Sequence, residues 1–184
     1  MPILGILASA QIGANSTSYE SIATTTVGAG GSSSITFSSI PSTYKHLQIR
    51  SIQLCGTTSY NTLIRYNSDS GNNYSSHYIE GNGASVGTGP AYGNPPINYG
   101  AIGEARGGTT YPDVFICDIF DYSNTNKYKT ARSLSGYDAN GSGLIALRSS
   151  LWMSTSAVTS ITITNDAAVN FTQYSSFALY GIKG

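Results

Sequence analysis

Asp113-Val114-Phe115-Ile116-Cys117-Asp118-Ile119-Phe120-Asp121-Tyr122 is the most apolar run of this 184-residue chain. Its length suits one strand, and its β-branched and aromatic residues suit a pleated surface better than a helix. The run predicts a central strand covered on both faces. Asp118 then needs a partner, Arg132 or a tyrosine hydroxyl, because a buried carboxylate is costly unless paired or hydrogen-bonded.

Similar runs lie on either side, separated by turn residues. Tyr19 to Val27 closes on Gly28-Ala29-Gly30-Gly31, and Ser34 to Ile40 ends at Pro41. Lys45 to Leu54 alternates Leu47 and Ile49 with polar residues and then moves to Ile52 and Leu54, which predicts a bulge or a crossing between layers. Thr62 to Asn67 and Tyr74 to Ile79 flank Asn67-Ser68-Asp69-Ser70-Gly71-Asn72 and read as a hairpin. Ile97 to Ala105 is a weaker strand. Lys129 to Tyr137, Gly143 to Met153, Val158 to Thr164 and Tyr174 to Ile182 complete the series. Phe115, Ile119, Ile161, Ile163, Phe177 and Leu179 are the expected core.

About ten short strands spaced roughly 8–12 residues apart describe a sandwich or barrel. The expected fold is all-β, a jelly-roll-like antiparallel β-sandwich, with other Greek-key sandwiches left open by chain order alone. Residues 17–184 form this single domain. Residues 1–16 form an extended N-terminal arm: Ile3, Leu4, Ile6 and Leu7 are apolar, but Pro2 and Gly5 oppose a helix. The arm lacks the basic region of a secretory signal and is too short to span a membrane. An apolar arm of this kind is expected to dock on another chain.

Composition narrows the function. Charged residues are 10% of the chain, nine basic against nine acidic, while Ser and Thr supply about a quarter. A neutral chain has no electrostatic footprint for nucleic acid, and little self-repulsion opposes association. Cys55 and Cys117 read as buried thiols more readily than as a disulfide. The only histidines, His46 and His77, lie on polar phases of strands and read as surface or hydrogen-bonding groups. No nucleotide, zinc or nucleophile-elbow motif occurs. Asn67, Asp69, Gly71 and Asn73 faintly resemble a calcium loop but lack its terminal glutamate, so a turn is expected and no metal or cofactor. A glycosidase would need two carboxylates facing each other across a sugar ring, and spacing signals no such pair. Gly81 to Gly108, rich in Gly and Pro, reads as a long loop in which Tyr92 and Tyr99 are candidate receptor contacts.

Several stretches carry a resemblance. Leu4-Gly5-Ile6-Leu7-Ala8-Ser9, Thr17 to Thr24, Ile35 to Pro41, Tyr44 to Arg50, Arg65 to Asp69, Ser123 to Lys127 and Phe177 to Lys183 together resemble small structural proteins of tailed bacteriophages, cyanophages included. The resemblance covers nearly the whole chain and is least in Gly81 to Gly108. It implies a non-enzymatic virion component with a jelly-roll-like domain, a homotrimer assembled in the host bacterial cytoplasm, partnered by other virion proteins and in contact with a host surface glycan, with no membrane insertion. A small tail-fibre or receptor-binding module is the leading expectation. A capsid cement protein and, from another class, a carbohydrate-active enzyme are the alternatives.

Overall fold

The computed structural model describes residues 18–56, 60–90 and 98–184. Among these residues the chain forms β1 (Tyr19–Thr26), β2 (Ile35–Phe37), β3 (His46–Gln53), β4 (Tyr60–Tyr66), β5 (Tyr74–Gly81) and β6 (Val86–Pro90). It continues through β7 (Gly100–Ala105), β8 (Asp113–Phe120), β9 (Lys129–Asp138), β10 (Gly143–Trp152), β11 (Ile161–Asn165) and β12 (Ser176–Ile182). All pairings are antiparallel.

The strands make an eight-stranded sheet, β1-β12-β3-β8-β9-β10-β5-β6, and a four-stranded sheet, β2-β11-β4-β7. Setting β5, β6, β9 and β10 aside leaves β1-β12-β3-β8 facing β2-β11-β4-β7. The chain then alternates sheets at every step but one, β4 to β7, which pair as neighbours in the smaller sheet; this is the double Greek key of a jelly roll. The other four strands are insertions between β4 and β7 and between β8 and β11. They extend the larger sheet beyond β8 as a wing, β9-β10-β5-β6.

The predicted core is in place: Phe115, Ile119, Ile161, Ile163, Phe177 and Leu179 are all buried, with Leu47, Ile49, Phe37 and Trp152. Four local expectations are corrected. First, β3 neither bulges nor changes layers; Ser51 and Gln53 continue the buried phase after Leu47 and Ile49, and Ile52 faces out. The polar ends are accommodated because Gln53 Nε2 donates to Thr62 Oγ1 across the interior at 2.7 Å. Second, β8 is covered on one face only: Val114 and Ile116 are about half exposed, because no layer lies over that side. Asp118 shares this open face, and its partner is Gln48, whose Nε2 donates to Oδ1 at 2.7 Å.

Third, β4 and β5 are not a hairpin but belong to different sheets. The chain crosses between layers through left-handed Asn67 and Ser68 (φ 51° and 58°). Asp69 holds the corner, accepting from Gly71 N at 2.9 Å, Asn73 Nδ2 at 2.9 Å and Trp152 Nε1 at 2.7 Å. Its carboxylate is thus occupied by N–H donors, which accounts for the oxygen-rich spacing of this turn. Fourth, the Gly81–Gly108 stretch is not one long loop: besides β7, which lies within the expected strand Ile97 to Ala105, it contains β6. Glycine there serves close packing: β7 comes within 8 Å of β9 and β10 between Cα atoms, nearer than the ~10 Å of ordinary stacked sheets. A Cβ on Gly100 would overlap Ser150 Oγ.

Phe115 packs beneath this approach, 3.5 Å from the position of a Cβ on Gly103. Phe115→Ala is expected to cost about 3–5 kcal/mol and to lower the melting temperature by about 10 °C. Thermal denaturation followed by circular dichroism checks this; a change within a degree or two would contradict the assigned core.

Candidate assembly surface and the charge cluster beneath it

Period-two alternation puts opposite residue classes on the two faces of the wing. Inward are Ala131, Ser133, Ser135, Ala146, Ser150 and Ser76, the small side chains that the close approach of β7 permits. Outward are the branched aliphatics. Cross-strand register arranges them in two adjacent rows. One runs Ile52, Val114, Gly136, Ile145, Gly81, Val86. The next runs Ile116, Leu134, Leu147, Ile79.

The eight aliphatic side chains in these rows are 44–72% exposed. Side by side in two rows they form a contiguous exposed apolar surface, the kind of patch that marks an interaction site when it exceeds the ~300–600 Å² typical of a monomer. Two depressions break it. One of about 500 Å³ is bounded by Val114, Ile116, Leu134, Gly136 and Ile145, and one of about 310 Å³ by Ile79, Gly81, Val86, Ile145 and Leu147.

A polar row borders the apolar ones: Gln48, Asp118, Arg132, Ser149, His77. Arg50 Nε donates to Gln48 Oε1 at 2.7 Å, and its guanidinium lies 5.8 Å and 5.4 Å from the Tyr19 and Tyr180 rings. The face is therefore an apolar field with a hydrogen-bonded, aromatic margin. Core-and-rim anatomy of this kind is that of a protein–protein interface.

Beneath the wing lies a charge cluster that sequence spacing did not reveal. Arg148, with a side chain 1% exposed, points inward from β10 and pairs with Glu104 on β7. Arg106 Nε lies 2.7 Å from the other Glu104 oxygen, and its Nη2 lies 3.8 Å from Glu80 Oε2. The Tyr78 ring stacks 5.2 Å from the Arg148 guanidinium, while Arg148 Nε and Nη1 have no hydrogen-bond partner among the described residues. Burial pushes the Glu104 carboxyl up to about 6; hydrogen-bond contact with Glu80 adds to this and the arginines oppose it. Glu80 and Glu104 share Arg106 as their common cation. A cleft of about 370 Å³ opens beside them, lined by Glu80, Asn82, Arg106, Tyr137 and Ser142 among others.

Ile3, Leu4, Ile6, Leu7 and Tyr92 lie outside the described residues. Tyr99 is half-buried and packs with Leu63 and Ala101. His46 Nδ1 accepts from Asp121 N–H at 2.9 Å, and the ring meets Phe120 edge-on at 5.4 Å. Cys55 and Cys117 are buried thiols with no bridge between them. Among the described residues, no group of three His, Cys, Asp or Glu converges to hold a metal. Comparison with protein-family models, with curated proteins and with solved structures returns no match for this chain.

The buried carboxylates set a pH dependence. Burial also raises Asp113 to about 6, against the opposing N–H donors of Arg106 and Gly107. Both groups therefore hold protons in the folded state that the unfolded chain has released between about pH 4 and 6, so stability falls as pH rises through that window. Asp121 is shifted the other way, to about 2, chiefly by its hydrogen bond from Lys127, and its contribution is lost as pH falls below about 4. The melting temperature is expected to peak near pH 4–5, about where the two trends cross. Asp113→Asn should flatten the decline between the peak and neutrality. An unchanged slope in that variant would assign the decline to other groups.

Proposed function

We propose that this chain is a non-enzymatic structural protein of a tailed-phage virion, a small tail-fibre or receptor-binding module exposed on the particle and built as a homotrimer. The observation that carries the reading is the outward apolar face of the wing. A jelly roll already has a complete interior between its two four-stranded layers, so the exposed aliphatic rows add nothing to its own core. Their contribution comes when another surface covers them and removes apolar area from water. A chain with zero net charge opposes that association little. The stretches resembling phage structural proteins, from Leu4-Gly5-Ile6-Leu7 to the C-terminal Phe177 to Lys183, direct the reading to a virion.

A single experiment tests it. Purified particles of the source phage are analysed by quantitative mass spectrometry, with wild type compared against a Leu134→Asp/Ile145→Asp double variant. Both positions are solvent-facing, so the variant is expected to fold, as circular dichroism would verify, but to be missing from particles. A wild-type copy number of a few to a few tens fits a tail organ, and hundreds of copies would move the assignment to capsid cement. Absence of the wild-type chain from particles would overturn the proposal.

The receptor-binding part has its own readout. Tyr92→Ala/Tyr99→Ala is expected to leave particle assembly intact and to lower adsorption to host cells, since weak glycan contacts repeated in a trimer multiply through avidity. Unchanged adsorption would remove the receptor role from this loop.

A further inference from the structure

The apolar face carries two depressions whose spacing matches a pattern in the N-terminal arm. Gly136 on β9 and Gly81 on β5 both pair with Ile145 on the strand between them. Each lacks a side chain where its neighbours in the row carry a branched one, so the face has two slots separated by the Ile145 ridge. The slots lie two strand spacings apart, about 10 Å. The arm contains Ile3-Leu4-Gly5-Ile6-Leu7, two apolar pairs repeating at a separation of three residues. In an extended polyproline-type backbone, residues three apart point the same way and stand about 9–10 Å apart. The arm carries no charged side chain through Ser18, and the rows it would cover are aliphatic or Gly, with Arg50, Asp138 and Glu80 also lining the slots.

The direction of the chain decides whose face is covered. β1 begins at Tyr19, which pairs with Ile182, which in turn pairs with His46. The apolar rows lie toward the opposite end of the strands, at Ile52 and Val114. Lys183 N–H donates to Ser18 O at 3.1 Å, so the backbone is still following the sheet outward as it leaves. Reaching its own slots would require a reversal and a crossing of the polar row through Gln48, Asp118 and Arg132. Continuing in its own direction takes it off the molecule, and the eleven residues from Ala8 to Ser18 span up to about 35 Å.

We propose that the arm of one copy lies across the strands of a neighbouring copy, seating Leu4 and Leu7 in the slots at Gly136 and Gly81. This rests on the reading of the wing as an assembly surface and specifies what covers it. Each copy donates one arm and accepts one, a heterologous contact that closes into a ring when the rotation allows. The aliphatic ridge gives affinity, and the slot spacing gives register.

The test uses the full-length chain in sedimentation equilibrium, with no virion present, so its outcome is separate from the virion assignment. Wild type is expected to associate and a chain lacking residues 1–12 to be monomeric. Gly81→Val fills the second slot, where a Cβ would meet nothing nearer than Ser85 O at 3.9 Å, so the fold tolerates it. It should weaken association about tenfold or more. A mixture of Leu7→Cys and Gly81→Cys chains should form a disulfide-linked heterodimer on mild oxidation, well above a Leu7→Cys and Thr109→Cys control. The proposal is overturned if the truncated chain associates as wild type does, which would mean that the faces pack directly on each other. It is equally overturned if the mixture yields no heterodimer above the control, or if a Leu7→Cys/Gly81→Cys double variant links only within one chain.

Discussion

The close approach of β7 to the wing, with Gly100 at the contact, constrains much of the remaining structure. Two sheets at ordinary separation interdigitate large side chains between them. Here a Cβ on Gly100 would already overlap Ser150 Oγ. Small residues dominate opposite it, Ala131, Ser133, Ser135, Ala146, Ser150 and Ser76, alongside Arg148, which reaches Glu104 on β7. Most of the branched aliphatics of the same strands, Leu134, Ile145, Leu147 and Ile79, face outside. The apolar outer surface is thus a geometric consequence of the thin layer beneath it.

The same thinness explains why a charge cluster is tolerated inside. Interior lined by Ser hydroxyls and backbone is more polar than an aliphatic core, which lowers the cost of placing Arg148 and Glu104 there. Even so, such pairs are seldom net contributors to stability, because desolvation offsets most of their attraction. Their effect is one of arrangement: Arg148 ties β10 to β7, and Arg106 links Glu104 to Glu80 on β5. The wing, which has little apolar interior of its own, is fastened to the jelly roll by directional contacts. Asp69 does the same at the corner between the sheets, where Trp152, Gly71 and Asn73 all donate to it.

Much of the candidate site was present in the chain as residue types but not as an arrangement. Ile52, Val114, Ile116 and Leu134 are visibly strand residues, and the sequence points the first three toward an interior because apolar side chains usually go there. Gln53 and Asp113 on the alternate phase point the same way, since polar side chains usually face water, yet here they are buried. That signal is ambiguous without knowledge of what faces each strand. Glu80 and Glu104 are twenty-four positions apart in sequence, and no local pattern joins them. They meet because β5 lies in one sheet and β7 in the other.

What the sequence by itself determined is local: the all-β class, most strand positions, the turns at Gly and Asn, and the apolar residues beneath the jelly roll. Strand propensity, alternation and turn chemistry act over a few residues, so they can be read without the fold. Tertiary structure decided which sheet each strand joins and which of its two faces is inside. The turn at Asn67 and Ser68 has the local look of a hairpin, yet it carries the chain across the sandwich. A strand's alternation has two equivalent phases, and the choice between them depends on the layer opposite. For β9 and β10 that layer is β7, and its close packing turned the aliphatic phase toward solvent.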